Sequence, residues 1–254
     1  MINCEYSCYP CEYKKDIYEH LKTLEKERYI FRNRSPQFGY RNNLIKWLKK
    51  LFEKLEFSRI TLHLAIFLLD FFMDSYSVKP ENLTLIAFIC FILAGKFEER
   101  DADIPKISEI NAILEHNYVK MDIIYLEKII LTYFKWKLTV PTALHFAEYF
   151  LDYAVIREDF CKNCYSFLIK EPPSFVAASC ILAVRKSYSL KPNWPYQLES
   201  VSNYSESVLL NCAEHIIKFK DKNRKQRKRK VEQSPDYGYE TEKGSPHSPK
   251  KKKE

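Results

Sequence analysis

Glycine is scarce in this chain, and its scarcity constrains the fold more than any other feature of the sequence. Only Gly39, Gly95, Gly238 and Gly244 occur among the 254 residues. Sheets, barrels and phosphate-binding loops depend on glycine for tight turns and for close approach of the backbone. Hydrophobic residues make up 46% of the chain, which is enough for a packed core. The sequence therefore predicts an all-α protein whose helices are joined by short polar loops.

Apolar residues recur at three- and four-residue spacing in two successive sets of segments, which meet at Pro141. We expect helices at about 40–55, 58–73, 81–97, from 108 and 119–135, and then at about 142–154, 157–169, 173–187, 194–200 and 204–219. Residues 86–90 and 176–180 align at an offset of 90, which places Lys96 on Lys186, although buried helices also resemble one another by chance. The sequence predicts two consecutive five-helix repeats, at 39–140 and 141–219, after an N-terminal segment at 1–38.

The net charge of +8 lies entirely in the last part of the chain. Residues 218–254 contain 14 Lys or Arg and 6 Asp or Glu, so the preceding 217 residues carry 27 charges of each sign. A neutral folded part offers nucleic acid or membrane no general electrostatic attraction. Because residues 220–254 hold few apolar side chains to bury, we expect them to form a disordered basic tail.

No segment reads as a secretory signal, and we expect a soluble intracellular protein. The longest apolar run, at 85–95, is shorter than the ~20 residues that a membrane-spanning helix needs. The basic runs at 222–230 and 250–253 suit a nuclear import receptor or phosphate contacts, although a merely solvated tail has the same composition. We expect the protein in the nucleus, and in the cytoplasm as well. Three serines that each precede proline are candidate phosphorylation sites: Ser234, Ser245 and Ser248.

The eight cysteines are interpreted as free thiols, because disulfides belong to secreted proteins. Cys4, Cys8 and Cys11 have the spacing of an iron–sulfur site that binds S-adenosylmethionine, but that enzyme class needs a glycine-containing barrel. A zinc site completed by a fourth ligand stays an alternative for these three. Cys161 and Cys164 fall within a helical segment and are interpreted as thiols. No metal site or cofactor is assigned.

Five segments, taken in order, resemble the cyclin box. They are Tyr40–Leu48, Thr61–Asp70, Leu93–Glu99 (the family's LASKFEE signature), Leu126–Lys128 and the junction Pro141-Thr142. Five positions that define the box are present in order: Arg41, Asp70, Leu85, Lys96 and Glu127. The resemblance covers 40–140 strongly and 141–219 more weakly, and within the family it is closest to the J-type cyclins. It implies the cyclin fold and a regulatory subunit, not an enzyme, that binds and activates a cyclin-dependent protein kinase.

The resemblance also implies where the kinase binds. It places Lys96 and Glu127 together on the surface, where they grip main-chain groups beside the kinase's regulatory helix and hold that helix in its active position. From charge and spacing alone, a solvated salt bridge beside core aromatics is the simpler explanation. The residues assigned to kinase binding are Leu93, Lys96, Phe97, Glu98, Glu127, Trp136 and Leu138. No catalytic residue is nominated.

Arg41 and Asp70 are expected to form a structural ion pair. They lie on the first two apolar helices of the box, where an unpaired charge would be costly. A planar, bidentate pair would satisfy both groups and fix how the helices cross.

Many cyclins dock RxL motifs in a shallow apolar groove, and the resemblance implies a degraded form of it here. The matching positions are Tyr40, Asn43, Leu44, Trp47, Lys50 and Thr84. Asn43 replaces an aliphatic residue, Lys50 an acid and Thr84 a glutamine. Lys50 would repel the arginine of the docking motif, so we expect weak or altered docking.

A transcription-factor module of the TFIIB-like group, which uses the same duplicated fold to hold promoter DNA, is the alternative function. It would require basic faces on the repeats and a paired-CxxC zinc ribbon at the N-terminus. The neutral charge of residues 1–217 favours the cyclin interpretation.

Overall fold

The computed structural model describes residues 13–114, 118–154 and 170–232, and within these ranges the chain forms helices and turns without strands. In chain order the helices are α1 (Lys14–Lys26), α2 (Arg41–Leu55), α3 (Arg59–Ser75), α4 (Leu83–Glu98), α5 (Ile107–Leu114), α6 (Lys120–Tyr133), α7 (Ala143–Ala154), α8 (Pro173–Ser187), α9 (Tyr196–Ser202) and α10 (Glu206–Glu232). The all-α prediction is confirmed.

The helices α3 and α4 form the centre of the first repeat. The hydroxyl of Ser58 caps α3 by accepting a hydrogen bond from the backbone N–H of Thr61. Helix α4 is apolar on nearly every side, and its residues from Leu85 to Gly95 are all buried. The stretch Pro80–Glu98 is long and apolar enough by composition to cross a membrane, but 67% of its apolar window is buried inside the protein. Its burial is that of a central core helix.

The second repeat is built in the same way around α7 and α8, which pack along each other. Its core holds large side chains such as Phe146, Phe150 and Leu182. The predicted segment 173–187 coincides with α8. Lys96 and Lys186, which align at the offset of 90, both lie in the last turn of their helices. The predicted helix at 157–169 lies outside the described residues.

The N-terminal segment contains a helix that we did not predict. Helix α1 contributes Leu21 to the core of the second repeat, and Lys14 of α1 pairs with Asp152 of α7 at 2.6 Å. The connection from α1 to α2 lies against the first repeat, where Asp74 accepts hydrogen bonds from the backbone N–H groups of Arg32 and Arg34 at 2.5 and 2.6 Å. The N-terminal segment therefore packs against both repeats.

The last helix runs further than the sequence predicted, while the tail as a separate segment stays a prediction. We predicted a helical end at 219 and disorder from 220, but α10 continues to Glu232. Lysine, arginine, glutamine and glutamate all have good helix propensity, so a basic sequence without apolar spacing can still extend a helix. Residues 233–254, with the three candidate phosphorylation sites and the second basic run, lie outside the described residues.

Candidate functional site

Lys96 and Glu127 meet on the surface of the first repeat. The Lys96 Nζ lies 2.5 Å from the Glu127 Oε1, and the pair connects the last turn of α4 to the middle of α6. The Lys96 side chain is 46% exposed and the Glu127 side chain 13%. An ammonium has three donors and a carboxylate about four acceptor positions, so the pair retains groups for a partner after bonding to itself.

Two exposed aromatic side chains lie in the chain segments that carry this pair. Phe97 directly follows Lys96 and is 47% exposed, and Trp136 follows the end of α6 and is 66% exposed. Lys135 and Trp136 both adopt left-handed backbone angles, with φ of 51° and 61°, in a turn that the Trp136 N–H closes by donating to the Leu131 carbonyl at 2.8 Å. Left-handed conformations are costly for residues other than glycine and are frequent at functional sites.

Leu93 and Leu138, the other two apolar residues assigned to kinase binding, are hardly exposed. Both are buried in the core of the first repeat, at 3% and 7% exposure. Leu93 lies one turn before Lys96 on α4, and it is buried where Lys96 is exposed. The role of the two leucines in kinase binding stays a prediction.

The two glutamates that end the signature segment, Glu98 and Glu99, lie in different surroundings. Partial burial raises the pKa of Glu98, and the neighbouring carboxylate of Glu99 raises it further. Glu99 accepts hydrogen bonds from the backbone N–H of Ser58, at 2.5 Å, and from the Thr61 hydroxyl. These hydrogen bonds link the end of α4 to the beginning of α3. No local sequence pattern indicates this role of Glu99, because its partners lie about 40 residues earlier in the chain.

Gly95 allows a close approach beneath the same turn. A Cβ atom at this position would lie 2.8 Å from the Phe57 Cε2 and 3.2 Å from the Ile104 Cδ1. Phe57 is buried and stacks on Phe91, with ring centroids 5.1 Å apart. The glycine that replaces the serine of the family signature therefore makes room for this aromatic ring.

Arg41 and Asp70 form the bidentate pair that the sequence predicted. The Arg41 Nε donates to Oδ1 of Asp70 at 2.7 Å, and an Arg41 Nη donates to Oδ2 at 2.8 Å. Both side chains are buried between α2 and α3. Burial raises the pKa of the Asp70 carboxyl, and the Arg41 guanidinium opposes that rise. The pair holds the two helices together from within the core and presents little surface to a partner.

The six positions of the predicted docking groove differ in their exposure to solvent. Trp47 of α2 packs edge-on against Phe88 of α4, with ring centroids 6.2 Å apart, so these two helices do meet at this point. Leu44 is buried in the core, and its place in the groove stays a prediction. The other four positions are exposed: Tyr40, Asn43, Lys50 and Thr84. Weak docking of RxL motifs stays a prediction.

Among the described residues no group of three or more His, Cys, Asp or Glu side chains is arranged to hold a metal ion. Cys90 and Cys180 are buried in the cores of the two repeats. The other cysteines weighed for a metal site lie outside the described residues: Cys4, Cys8, Cys11, Cys161 and Cys164.

Two family models match this chain in succession. They are "Cyclin, N-terminal domain" over residues 14–139 and "Cyclin, C-terminal domain" over residues 131–243. The first match contains Lys96 and Glu127 as well as Arg41 and Asp70.

Curated relatives and a solved structure agree with these matches. Cyclin-J of Homo sapiens is 30% identical over 221 residues, which are 80% of this chain and 59% of the relative. Cyclin-B1-1 of Arabidopsis thaliana is 30% identical over 217 residues, which are 80% of this chain and 50% of the relative. This chain therefore spans about half to three fifths of the length of the relatives it matches. The crystal structure of a viral cyclin from herpesvirus saimiri superposes with a TM-score of 0.62 at 19% identity, covering 80% of this chain and 93% of the viral one, and it supports the fold.

Proposed function

Because this chain belongs to the cyclin family, with the family's N-terminal and C-terminal domains in order, we propose that it is a regulatory subunit that binds and activates a cyclin-dependent protein kinase. Its similarity to cyclin-J and to a B-type cyclin supports a cyclin-type regulatory role in the cell cycle. The relatives are longer than this chain, so the kinase partner is part of the proposal.

The observation that carries the proposal is the exposed Lys96–Glu127 pair beside Phe97. The pair lies at the surface, with Lys96 exposed and Glu127 partly buried, and a surface ion pair contributes only about 0.2–1 kcal/mol to stability. An exposed aromatic ring beside a charged pair that has further donor and acceptor positions is typical of an interface. Such a pair anchors the main chain of a partner without reading its side chains.

Activation follows from binding one conformation of the kinase. A protein kinase needs its Lys–Glu pair and its metal-binding Asp in place, and the position of one regulatory helix controls both. A subunit that binds only the inward position of that helix shifts the population towards active kinase. All catalytic groups belong to the kinase in this mechanism.

The proposal includes the location of the protein. The basic run at 222–230 and the Lys250–Lys253 run suit an import receptor, so we propose that the heterodimer works in the nucleus. Phosphorylation at Ser234, Ser245 or Ser248 would lower the positive charge beside these runs.

The experiment is a pull-down from cell extract followed by a kinase assay on the recovered material. It compares the wild-type chain with the double variant Lys96→Glu, Glu127→Lys. The control reverses an ion pair of the second repeat that contains Lys186, the residue aligned with Lys96; its partner is Glu214, and their Nζ and Oε1 lie 3.9 Å apart. Circular dichroism checks that each variant is folded.

The proposal expects that the wild type and the control recover an active cyclin-dependent kinase, while the folded Lys96 and Glu127 variant recovers none. If the wild type recovers no kinase, the proposed function is wrong, and binding to DNA or the transcription machinery becomes the function to test.

A further inference from the structure

The helix α6 presents a second apolar face that no other part of the described protein covers. Met121, Ile124 and Tyr125 are 68%, 42% and 66% exposed. They are spaced three and four residues apart, which places them side by side on one face of the helix. The opposite face, with Ile123 and Ile130, is buried in the core of the first repeat. Isolated exposed apolar residues are ordinary, but a contiguous group marks an interaction surface.

This face, which we call the α6 patch (Met121, Ile124 and Tyr125), adjoins the Lys96–Glu127 pair. Glu127 follows Ile124 by three residues, so the two side chains are neighbours on the helix surface, about 4.5 Å apart along its axis. A standard interface covers about 800 Å² on each partner, a region several times wider than this separation. A partner that contacts Glu127 therefore covers the patch as well, and this continuity identifies its occupant as the partner of the Lys96–Glu127 pair.

The chemistry of the patch differs from the chemistry of the pair. The pair bonds to main-chain groups, which every kinase has, and so it cannot distinguish one kinase from another. The patch offers a thioether, an aliphatic side chain and a phenol, which favour apolar side chains on the partner. A partner with a charged side chain at this point would have to bury that charge without a counter-ion, at a large energetic cost.

We propose that the α6 patch determines which cyclin-dependent kinase this chain binds, by selecting a kinase whose facing surface is apolar and by rejecting kinases that carry a charge there. This inference rests on the proposed function, because the occupant of the patch is the kinase that the Lys96–Glu127 pair anchors. Met121, Ile124 and Tyr125 are then specificity-determining residues, and Lys96 and Glu127 provide the common anchor.

The experiment measures dissociation constants of the full chain for a panel of purified cyclin-dependent kinases. The patch variant is Met121→Gln, Ile124→Gln, Tyr125→Gln, since glutamine keeps a good helix propensity and removes the apolar surface. The control variant is Tyr196→Gln, Val208→Gln, which removes exposed apolar residues from the second repeat. The variant Lys96→Glu, Glu127→Lys reports on the anchor. Melting temperatures and the mass of each protein in solution are measured alongside.

The proposal expects the patch variant to bind the preferred kinase about tenfold or more weakly, as for the loss of apolar anchors at an interface. Weakly bound kinases should change by less than about twofold, so that the preference between kinases collapses, and the control should keep the wild-type preference. If the patch variant loses the same affinity for every kinase, or loses no affinity for any of them, the proposal is overturned while the proposed function stands. If the wild type is a dimer and the patch variant is a monomer, the patch binds a second copy of this chain. That result would also overturn the proposal. If the wild type binds no kinase in the panel, the proposed function and this inference fail together.

Discussion

The carboxylate of Glu25 accepts a hydrogen bond from the backbone N–H of Ser174 at 2.7 Å, and this bond joins α1 to the first turn of α8 across 149 residues of sequence. The same carboxylate accepts from the Ser174 hydroxyl at 2.8 Å and from the Lys22 Nζ at 2.7 Å. A carboxylate at a helix N-terminus satisfies a backbone donor that the helix leaves unpaired, and it interacts favourably with the helix dipole. Helix α1 is therefore part of the second repeat's structure, although it precedes the first repeat in the chain.

Replacing Glu25 by alanine should lower the free energy of unfolding by about 1–3 kcal/mol, because it leaves the buried Ser174 N–H without its acceptor. Urea denaturation measures the change. Glu19→Ala is the matched control, since Glu19 lies on the same helix, is exposed, and pairs with Lys15 only at 3.8 Å. Equal losses for the two variants would show that Glu25 does not cap α8.

Removing one partner of the buried pair between α2 and α3 should be far more damaging. Asp70→Asn leaves the Arg41 guanidinium buried without a counter-charge, and we expect a loss of about 3–5 kcal/mol in thermal or urea unfolding. The double variant Arg41→Met, Asp70→Leu removes both charges and should recover most of that stability. Asp103→Asn, which breaks the exposed pair with Arg100, should change the stability very little. An Asp70→Asn protein as stable as that control would contradict a structural role for the pair.

Adding a single methyl group at Gly95 tests the close approach of Phe57. Alanine for glycine within a helix ordinarily stabilises by about 0.5–1 kcal/mol. Here the added Cβ would meet the buried Phe57 ring at 2.8 Å, so we expect a net loss of about 1–2 kcal/mol from overpacking. Gly39→Ala, where no heavy atom lies within 4 Å of the added Cβ, should cost almost nothing. A Gly95→Ala, Phe57→Leu double variant that loses as much as the sum of the single losses would exclude this contact as the cause.

Acidification should destabilise the junction between the repeats through His145. The backbone N–H of Thr142 donates to the His145 Nδ1 at 3.1 Å, an arrangement that caps the beginning of α7 and requires an unprotonated Nδ1. Burial lowers the pKa of His145 below its usual 6.5. Below that pH the unfolded chain binds a proton that the folded protein does not, so the free energy of unfolding decreases as the pH falls through 6.5.

Urea denaturation at two pH values, one on each side of this range, measures the effect. His145→Gln keeps an acceptor for the Thr142 N–H but does not titrate, and it should lose less stability on acidification than the wild type. His20→Gln, at an exposed position on α1, should lose as much as the wild type. Equal pH dependence of all three proteins would remove His145 from the account.

The sequence predicted the helices in which buried apolar residues recur along the helix itself. Helices α4 and α8 are apolar over most of their length, so their presence and approximate bounds follow from composition and periodicity alone. Helix α1 escaped prediction because only a narrow stripe of it is buried, and its capping residue acts on Ser174, far along the chain. No local pattern reveals a contact of that kind.

The charged pair of the candidate site was predicted from the sequence, but which apolar residues around it are buried and which are exposed was not. The family pattern places Lys96 beside Glu127, and the two groups do meet. It could not show that Leu93 and Leu138 are buried beneath them, because an apolar residue that faces a core and one that faces a partner have the same helical spacing. For the same reason the periodicity of α6 gave no indication that Met121 and Tyr125 are exposed.

The most direct test of the central claim separates the Lys96–Glu127 pair as a fold element from the pair as a kinase anchor. Lys96→Glu, Glu127→Lys and the double reversal are each measured twice, for melting temperature and for the dissociation constant with the recovered kinase. Reversing both charges restores their mutual attraction, so the double variant should melt like the wild type. It also puts an acceptor where the kinase needs a donor, so we expect it to bind about a hundredfold or more weakly. A double variant that regains wild-type kinase affinity together with its stability would show that the pair only supports the fold, and would contradict the account.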